Sequence, residues 1–243
     1  MAASLIKKIE GVMQLLERRF GRARRQEFLP PPSSAEVEAA LAVATKNSEF
    51  VAAAVLGLHG PPEEGLEAAR RLLNCCVDWN EVRVAGRESL AAALGHDPRA
   101  EERVTLLQRF LESFFLRQRN MNLECLVGLK TGERRQFLSD LEVFSRDELA
   151  ALLLTCFGHE VFPPAEPIRR VLARCGLIRQ KTTVLQMAKL LEDALDADQM
   201  LQLYSGLYAV ALKTCHEEKP ECVPCALRSR CAYARHAGKG SRG

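Results

Sequence analysis

Cys215, Cys222, Cys225 and Cys231 are separated by six, two and five residues, in one short segment that follows a long helical run. A thiolate is a soft ligand, and four of them this close can converge on one metal centre with little ordering of the chain between. A lone C-x-x-C would say little, but four ligands in one stretch point to an iron–sulfur cluster or a zinc ion. The other limits are broad. The chain has nine cysteines in 243 residues, and its amphipathic, charged N-terminal stretch has no apolar signal core. That usage fits a reducing, cytoplasmic setting and metal ligation better than a disulfide framework. A hydrophobic share of 47% can fill one large core or two modest ones. No run of about 18 apolar residues is present, so no membrane partner is expected.

Upstream of the cysteines, nearly everything has helical period. Over 3–19, Leu5, Ile6, Ile9, Met13, Leu15 and Leu16 fall on one broad face. Pro30, Pro31 and Pro32 then exclude helix, and Ser33 with Glu36 forms a capping box for the next one. Helices are expected over 35–58, 63–76, 86–94, 98–117, 122–129, 132–140, 145–157, 166–175, 183–194 and 197–213. No alternating strand pattern of useful length occurs, so the fold class is all-α.

The net charge is only +3, but the cations are clustered. Arg18, Arg19, Arg22, Arg24 and Arg25 form one group, and Arg169, Arg170, Arg174, Arg179 and Lys181 another. Arg228, Arg230 and Arg235 lie in and after the cysteine segment. Such patches can meet phosphates, although a solvated helix face is the commoner fate of a charge run. Residues 137–157 read as helix, tight turn, helix. Ser145 is the N-cap, Glu148 closes its capping box, and Asp147 lies where the helix dipole favours an anion. A hairpin of this kind can offer backbone amides to a DNA phosphate. Cys75, Cys76, Cys125, Cys156 and Cys175 read as small core hydrophobes. Trp79 reads as a structural anchor before a base-stacking residue, and His159 with Glu160 as an exposed turn.

The cysteine spacing is that of the 4Fe–4S loop in the endonuclease III and adenine-glycosylase branch of the helix-hairpin-helix DNA glycosylases, and the resemblance extends upstream over about 132–233. The family's hairpin reads L-P-G-V-G-R-K-T-A and begins a helix that ends in Phe-Gly. Here Leu141 opens the hairpin, Arg146 falls on the arginine, and Phe157-Gly158 stands at the same distance. The resemblance implies a 4Fe–4S cluster on Cys215, Cys222, Cys225 and Cys231, and favours it over zinc. It also implies DNA contacts from Ser145, Arg146, Arg169, Arg228 and Arg230. The departures are as informative. The family's catalytic lysine falls on Asp147, which cannot form a Schiff base. Its catalytic aspartate falls on Ala165, which cannot stabilise positive charge on a sugar. Its two hairpin glycines become Val143 and Ser145, which weakens hairpin docking. Glu166, one residue along, is the possible substitute carboxylate.

The expectation is therefore a two-lobed glycosylase fold. Residues 36–160 would form a six-helix barrel ending in the hairpin, and 1–35 with 161–235 the cluster domain, with 236–243 as a mobile tail. The expected function is a catalytically degenerate, DNA-binding or scaffolding homologue linked to base-excision repair, present as a monomer. The alternatives are a monofunctional DNA glycosylase using Glu166 and a cluster-dependent protein-interaction module with a protein partner.

Overall fold

A computed structural model describes residues 2–23, 37–58 and 62–237. Among these there are helices and no strand: α1 (Ala2–Phe20), α2 (Val37–Leu56), α3 (Pro62–Leu73), α4 (Trp79–Val84), α5 (Arg87–Ala93), α6 (Ala100–Gln118), α7 (Cys125–Gly128), α8 (Thr131–Ser139), α9 (Arg146–Phe157), α10 (Glu166–Cys175), α11 (Val184–Glu192), α12 (Ala197–Lys213) and α13 (Ala232–Ala237). The all-α expectation holds. The proline break at 30–32, the capping box of Ser33 and Glu36, Arg24, Arg25, and the tail from 238 onward lie outside the described residues. Residues 236 and 237, expected in the tail, belong to α13.

The chain divides into two compact units, one of residues 1–25 and 158–243, the other of residues 26–157. In the second unit α6 is the central helix. Val104, Leu107, Phe110, Leu111 and Phe114 recur at three- and four-residue steps and are all fully buried. Helices α2, α4 and α5 pack on this face, and α9 packs on α2 and α8. Phe110 meets Phe114 and Phe144, and Phe114 meets Phe137, in tilted or edge-on pairs. Gln108 and Arg103 are buried polar side chains that have partners. Gln108 donates to the carbonyls of Val82 and Ala85 at 3.0 and 2.8 Å, which closes the end of α4. Arg103, 6% exposed, is held by Glu64 and Asp97 at 2.9 and 3.0 Å.

In the first unit α12 is enclosed on nearly all sides over residues 200–211. Helix α1 lays Ile9, Val12 and Leu16 toward it, and α10 adds Ile168, Val171 and Leu172. Residues 2–20 form α1 because its apolar residues keep one stripe while Lys7, Lys8, Glu10 and Glu17 stay exposed.

The pattern missed two short helices. Helix α4 has only six residues, yet Asp78 and Glu81 mark its start: the Glu81 amide donates to Asp78 Oδ1 at 2.8 Å. Helix α13 lies beyond the last cysteine, where hydrophobic period has no room to show. Two side chains also differ from expectation. Cys75 is exposed while Cys76 is buried, because helix α3 ends at Leu73 and the chain leaves it before the pair. His159 is buried at 8% exposure, since Gly158 turns the chain inward at φ 67°. Trp79 is buried as an anchor.

Helices α2 and α3 touch at two glycines. A Cβ on Gly65 would lie 2.1 Å from the Ala53 carbonyl oxygen and 2.7 Å from the Gly57 Cα. Backbone atoms cannot step aside as a side-chain tip can. Gly65→Ala should therefore destabilise the protein by about 2–3 kcal/mol, while Gly128→Ala, which faces open space, should cost less than about 0.5 kcal/mol. Urea unfolding of both variants checks the contrast.

Candidate metal centre and nucleic-acid interface

The cysteine loop begins where α12 ends. The Thr214 and Cys215 amides both donate to the Val210 carbonyl, at 3.0 and 2.8 Å, and the Glu221 amide returns to Thr214 at 2.7 Å. These bonds close the six-residue spacer into a turn. Further tight turns carry the chain from Cys225 to Cys231, with the Arg228 amide on the Cys225 carbonyl at 3.1 Å. Leu227, 1% exposed, pins that stretch to the core.

Helix α10 holds the loop from the side. Arg174 donates to Cys215 Sγ at 3.3 Å and to the carbonyls of His216 and Glu217, each at 2.6 Å. Its guanidinium also stacks on Tyr233. Arg170 donates to the Cys215 carbonyl at 3.1 Å. A planar cation with five donors suits a loop whose carbonyls have no helix or strand to take them.

The thiols lie within electrostatic reach of one another. Burial, then the neighbouring Cys231, Cys225 and Cys215, push the Cys222 thiol up. Cys175, at the end of α10, forms a thiol–thiol hydrogen bond with Cys231. That bond holds Cys231 down to about 6 against the effect of burial, with help from the backbone N–H groups of Ala234 and Tyr233 and from Arg174. The same bond, followed by burial, pushes Cys175 far up. Cys231 Sγ also reaches the Arg174 carbonyl, at 3.5 Å.

Among the described residues, no three His, Cys, Asp or Glu side chains gather tightly around one point. A four-iron cluster does not ask for that, because each of its thiolates binds a different iron and the sulfurs stand apart around a volume. Cys215, Cys222, Cys225 and Cys231, within electrostatic reach of one another, are a soft thiolate donor set of the kind such a cluster takes.

The hairpin is α8, a turn over 140–145, and α9. The capping box expected at its second helix forms: the Glu148 amide donates to Ser145 Oγ at 3.4 Å, and the Ser145 amide to Glu148 Oε2 at 2.7 Å. Asp147 also accepts from the Ser145 hydroxyl at 2.8 Å. The start of α9 is thus already supplied with two carboxylates of its own. Both oppose an incoming phosphate, and one takes an amide that a phosphate would need. The turn is built without glycine. Glu142 takes the left-handed conformation at φ 54°, at a cost of roughly 1–2 kcal/mol, while Leu141 and Val143 point into the core at 7% exposure each.

Ala165 is the N-cap residue of α10, 3% exposed, and makes no side-chain cap. Glu166 opens the helix, with Pro167 after it. Arg169 grips both of its oxygens, Nε to Oε2 and NH2 to Oε1, at 2.7 Å each. This pairing keeps the Glu166 carboxyl below the usual range despite some burial. Arg169 also donates to the Gln180 carbonyl at 2.9 Å, so it braces the turn after α10.

The residues expected to contact DNA therefore divide. Arg146 and Arg228 are exposed, and neither side chain has an ion pair or hydrogen bond among the described residues. Arg169 is committed internally. Arg230 lies over α1, where a Cβ on Gly11 would come within 2.7 Å of its guanidinium carbon. Arg170, Arg174 and Cys175 were legible only as a basic run and a core thiol. Their roles appear once α10 is laid beside the loop; the sequence signal was the four-residue spacing of the two arginines, one residue before Cys175.

The fold is shared with solved structures of endonuclease III and of a thymine-DNA glycosylase. No family profile matches the chain, but it is similar to endonuclease III of Sulfolobus acidocaldarius, at 29% identity over 112 residues. That match covers 46% of this chain and spans half the length of the relative. In structure, the chain is similar to endonuclease III in a non-covalent DNA complex, with a TM-score of 0.60 and 16% identity over 96% of this chain and 98% of the other. A trapped endonuclease III–DNA covalent intermediate scores 0.58 at 15% identity, with the same coverage of both chains. A thermostable thymine-DNA glycosylase scores 0.56 at 13% identity, over 95% of this chain and 98% of that one. Among the described residues, no helix is long and apolar enough to cross a membrane.

Two outcomes follow from this geometry. Arg174→Ala strips three acceptors of their charged donor and should lower stability by about 1–3 kcal/mol. It should also speed labelling of the loop thiols by a thiol reagent in metal-free protein. Asp147→Asn removes a carboxylate from the positive end of the α9 dipole and should lower stability by about 0.3–1 kcal/mol, as read by urea unfolding.

Proposed function

We propose that this chain is a catalytically degenerate relative of endonuclease III, one that binds duplex DNA weakly through phosphates and does not excise bases. The observation that supports this most is the start of α9. Its own carboxylates, Asp147 and Glu148, fill it, and Asp147 stands where the resemblance calls for an amine. A Schiff base needs that amine, and a carboxylate cannot supply it. Ala165 puts a buried methyl where the resemblance calls for an aspartate. Glu166 could act on a sugar only by giving up both bonds to Arg169.

A DNA-facing role is supported by the sequence likeness to endonuclease III and by two structural neighbours bound to DNA. Of the residues expected at DNA, Arg146 and Arg228 each keep an exposed guanidinium with no ion pair or hydrogen bond among the described residues, and contacts of that kind would go to phosphates. They carry no base readout, so binding should not depend on sequence or lesion.

A 4Fe–4S cluster on Cys215, Cys222, Cys225 and Cys231 completes the proposal. When bound, it cross-links a loop that has little regular structure of its own. Arg170 and Arg174 position Cys215, Leu227 anchors the spacer before Cys231, and the Arg174 carbonyl lies against Cys231 Sγ.

Three measurements test these claims. Anaerobically purified protein should contain iron and acid-labile sulfide in equal amounts; stoichiometric zinc with no sulfide would refute the cluster. Duplexes bearing oxidised, alkylated or abasic lesions should emerge intact, and borohydride should trap no adduct. Excision of any lesion would end the degenerate reading. Binding should weaken steeply as salt rises, as phosphate contacts require; a flat response would remove DNA as the partner.

A further inference from the structure

The unit of residues 1–25 and 158–243 holds a cavity of about 1080 Å³ between the N-terminal half of α1, the connection after α10, and α11. Helix α1 rests on α12, and α11 rests on α10, so neither fills the space between them. Leu5, Ile6, Leu177, Ile178, Leu185 and Leu190 supply its apolar lining. Helix α11 already spends Met187, Ala188 and Leu191 on its buried face. Leu185 is left half exposed, at 50%, a large aliphatic side chain on an otherwise charged surface.

The rim has a sign. Lys8, Arg179 and Lys189 line it against one carboxylate, Asp193. Lys189 takes that carboxylate at 2.7 Å. Lys8 and Arg179 remain without a counter-charge among the described residues.

These features narrow the occupant. The volume is at the upper end of small-molecule sites, roughly 300–1,000 Å³. Such sites orient their ligand with convergent polar groups, and here only Thr182 and Gln186 offer uncharged polar side chains. Nucleic acid is a poor match, because six aliphatic residues give a phosphate nothing and no aromatic lines the cavity for a base to stack on. An apolar trough with a basic rim matches an amphipathic helix that carries aliphatic anchors at i, i+3, i+4 and i+7 with carboxylates beside them.

We propose that this cavity docks an acidic amphipathic helix of a protein partner. The anchors enter between α1 and α11, and the flanking carboxylates pair with Lys8 and Arg179. The site shares no residue with the cysteine loop or the hairpin, so it goes beyond the DNA-binding proposal and can fail or succeed without it.

The test uses the full chain and three labelled peptides of about 16 residues, roughly 24 Å long as helices. The first has a leucine stripe flanked by glutamates, the second has lysines in place of the glutamates, and the third is the acidic peptide with its leucines scrambled. By anisotropy, the acidic striped peptide should bind at least about tenfold tighter than either control. Leu185→Asp should weaken it more than about tenfold and Arg179→Glu about fivefold. Both positions are exposed, and the melting temperature of each variant should match the parent. No binding, equal binding of the acidic and basic peptides, or indifference to both substitutions overturns the proposal. So does self-association of the parent chain that Leu185→Asp abolishes, which would assign the cavity to a second copy.

Discussion

The contact between Arg174 and the loop after α12 is the interaction on which the candidate metal site depends. The loop runs from Thr214 to Cys231 with few backbone bonds of its own. Left to itself, such a chain would sample many conformations, and each ordered residue would cost roughly 1–2 kcal/mol of entropy. Arg174 offsets part of that by reaching one sulfur and two carbonyls from a rigid helix, while Arg170 takes a third carbonyl. The two arginines lie one turn apart on α10, so a single helical face sets the position of the first cysteine. The last cysteine meets the same helix, its Sγ on the Arg174 carbonyl at 3.5 Å.

A helix start that can receive a phosphate must leave its amides and its positive end open. At the start of α9 Ser145 and Glu148 bond each other's amides, and the Asp147 and Glu148 carboxylates lie at the positive end. That is good for the helix and poor for docking. The same economy appears at α10, where Glu166 and Arg169 neutralise each other and brace a neighbouring turn. In both places, positions that the resemblance associates with reaction or docking here serve local stability.

Much of this was legible in the residues. The apolar stripes of α1, α6 and α10 announced their helices, and Ser145 with Glu148 announced the start of α9, because period and capping are local properties. The cysteine spacing announced the loop. What the sequence hid is what needs the third dimension. Arg169 and Arg230 looked like phosphate ligands, yet one closes on Glu166 and the other lies over Gly11. A charge run in a sequence does not say which cations already have partners. Helix α4 was short enough for its cap to outweigh its period, and His159 was buried by a turn at Gly158 rather than by any apolar neighbour in sequence.

The unit that carries the cysteines is assembled from two separated stretches, residues 1–25 and 158–243. On the ribosome, α1 therefore emerges long before α10 and α12, the surfaces that would cover Ile9, Val12 and Leu16. The intervening 26–157 can collapse first, while the opening helix waits with its oily side bare. A helix in that position must tolerate a long unpaired interval, and the lysines, arginines and glutamates along its other side suit it to remain dispersed until its late partners are synthesised.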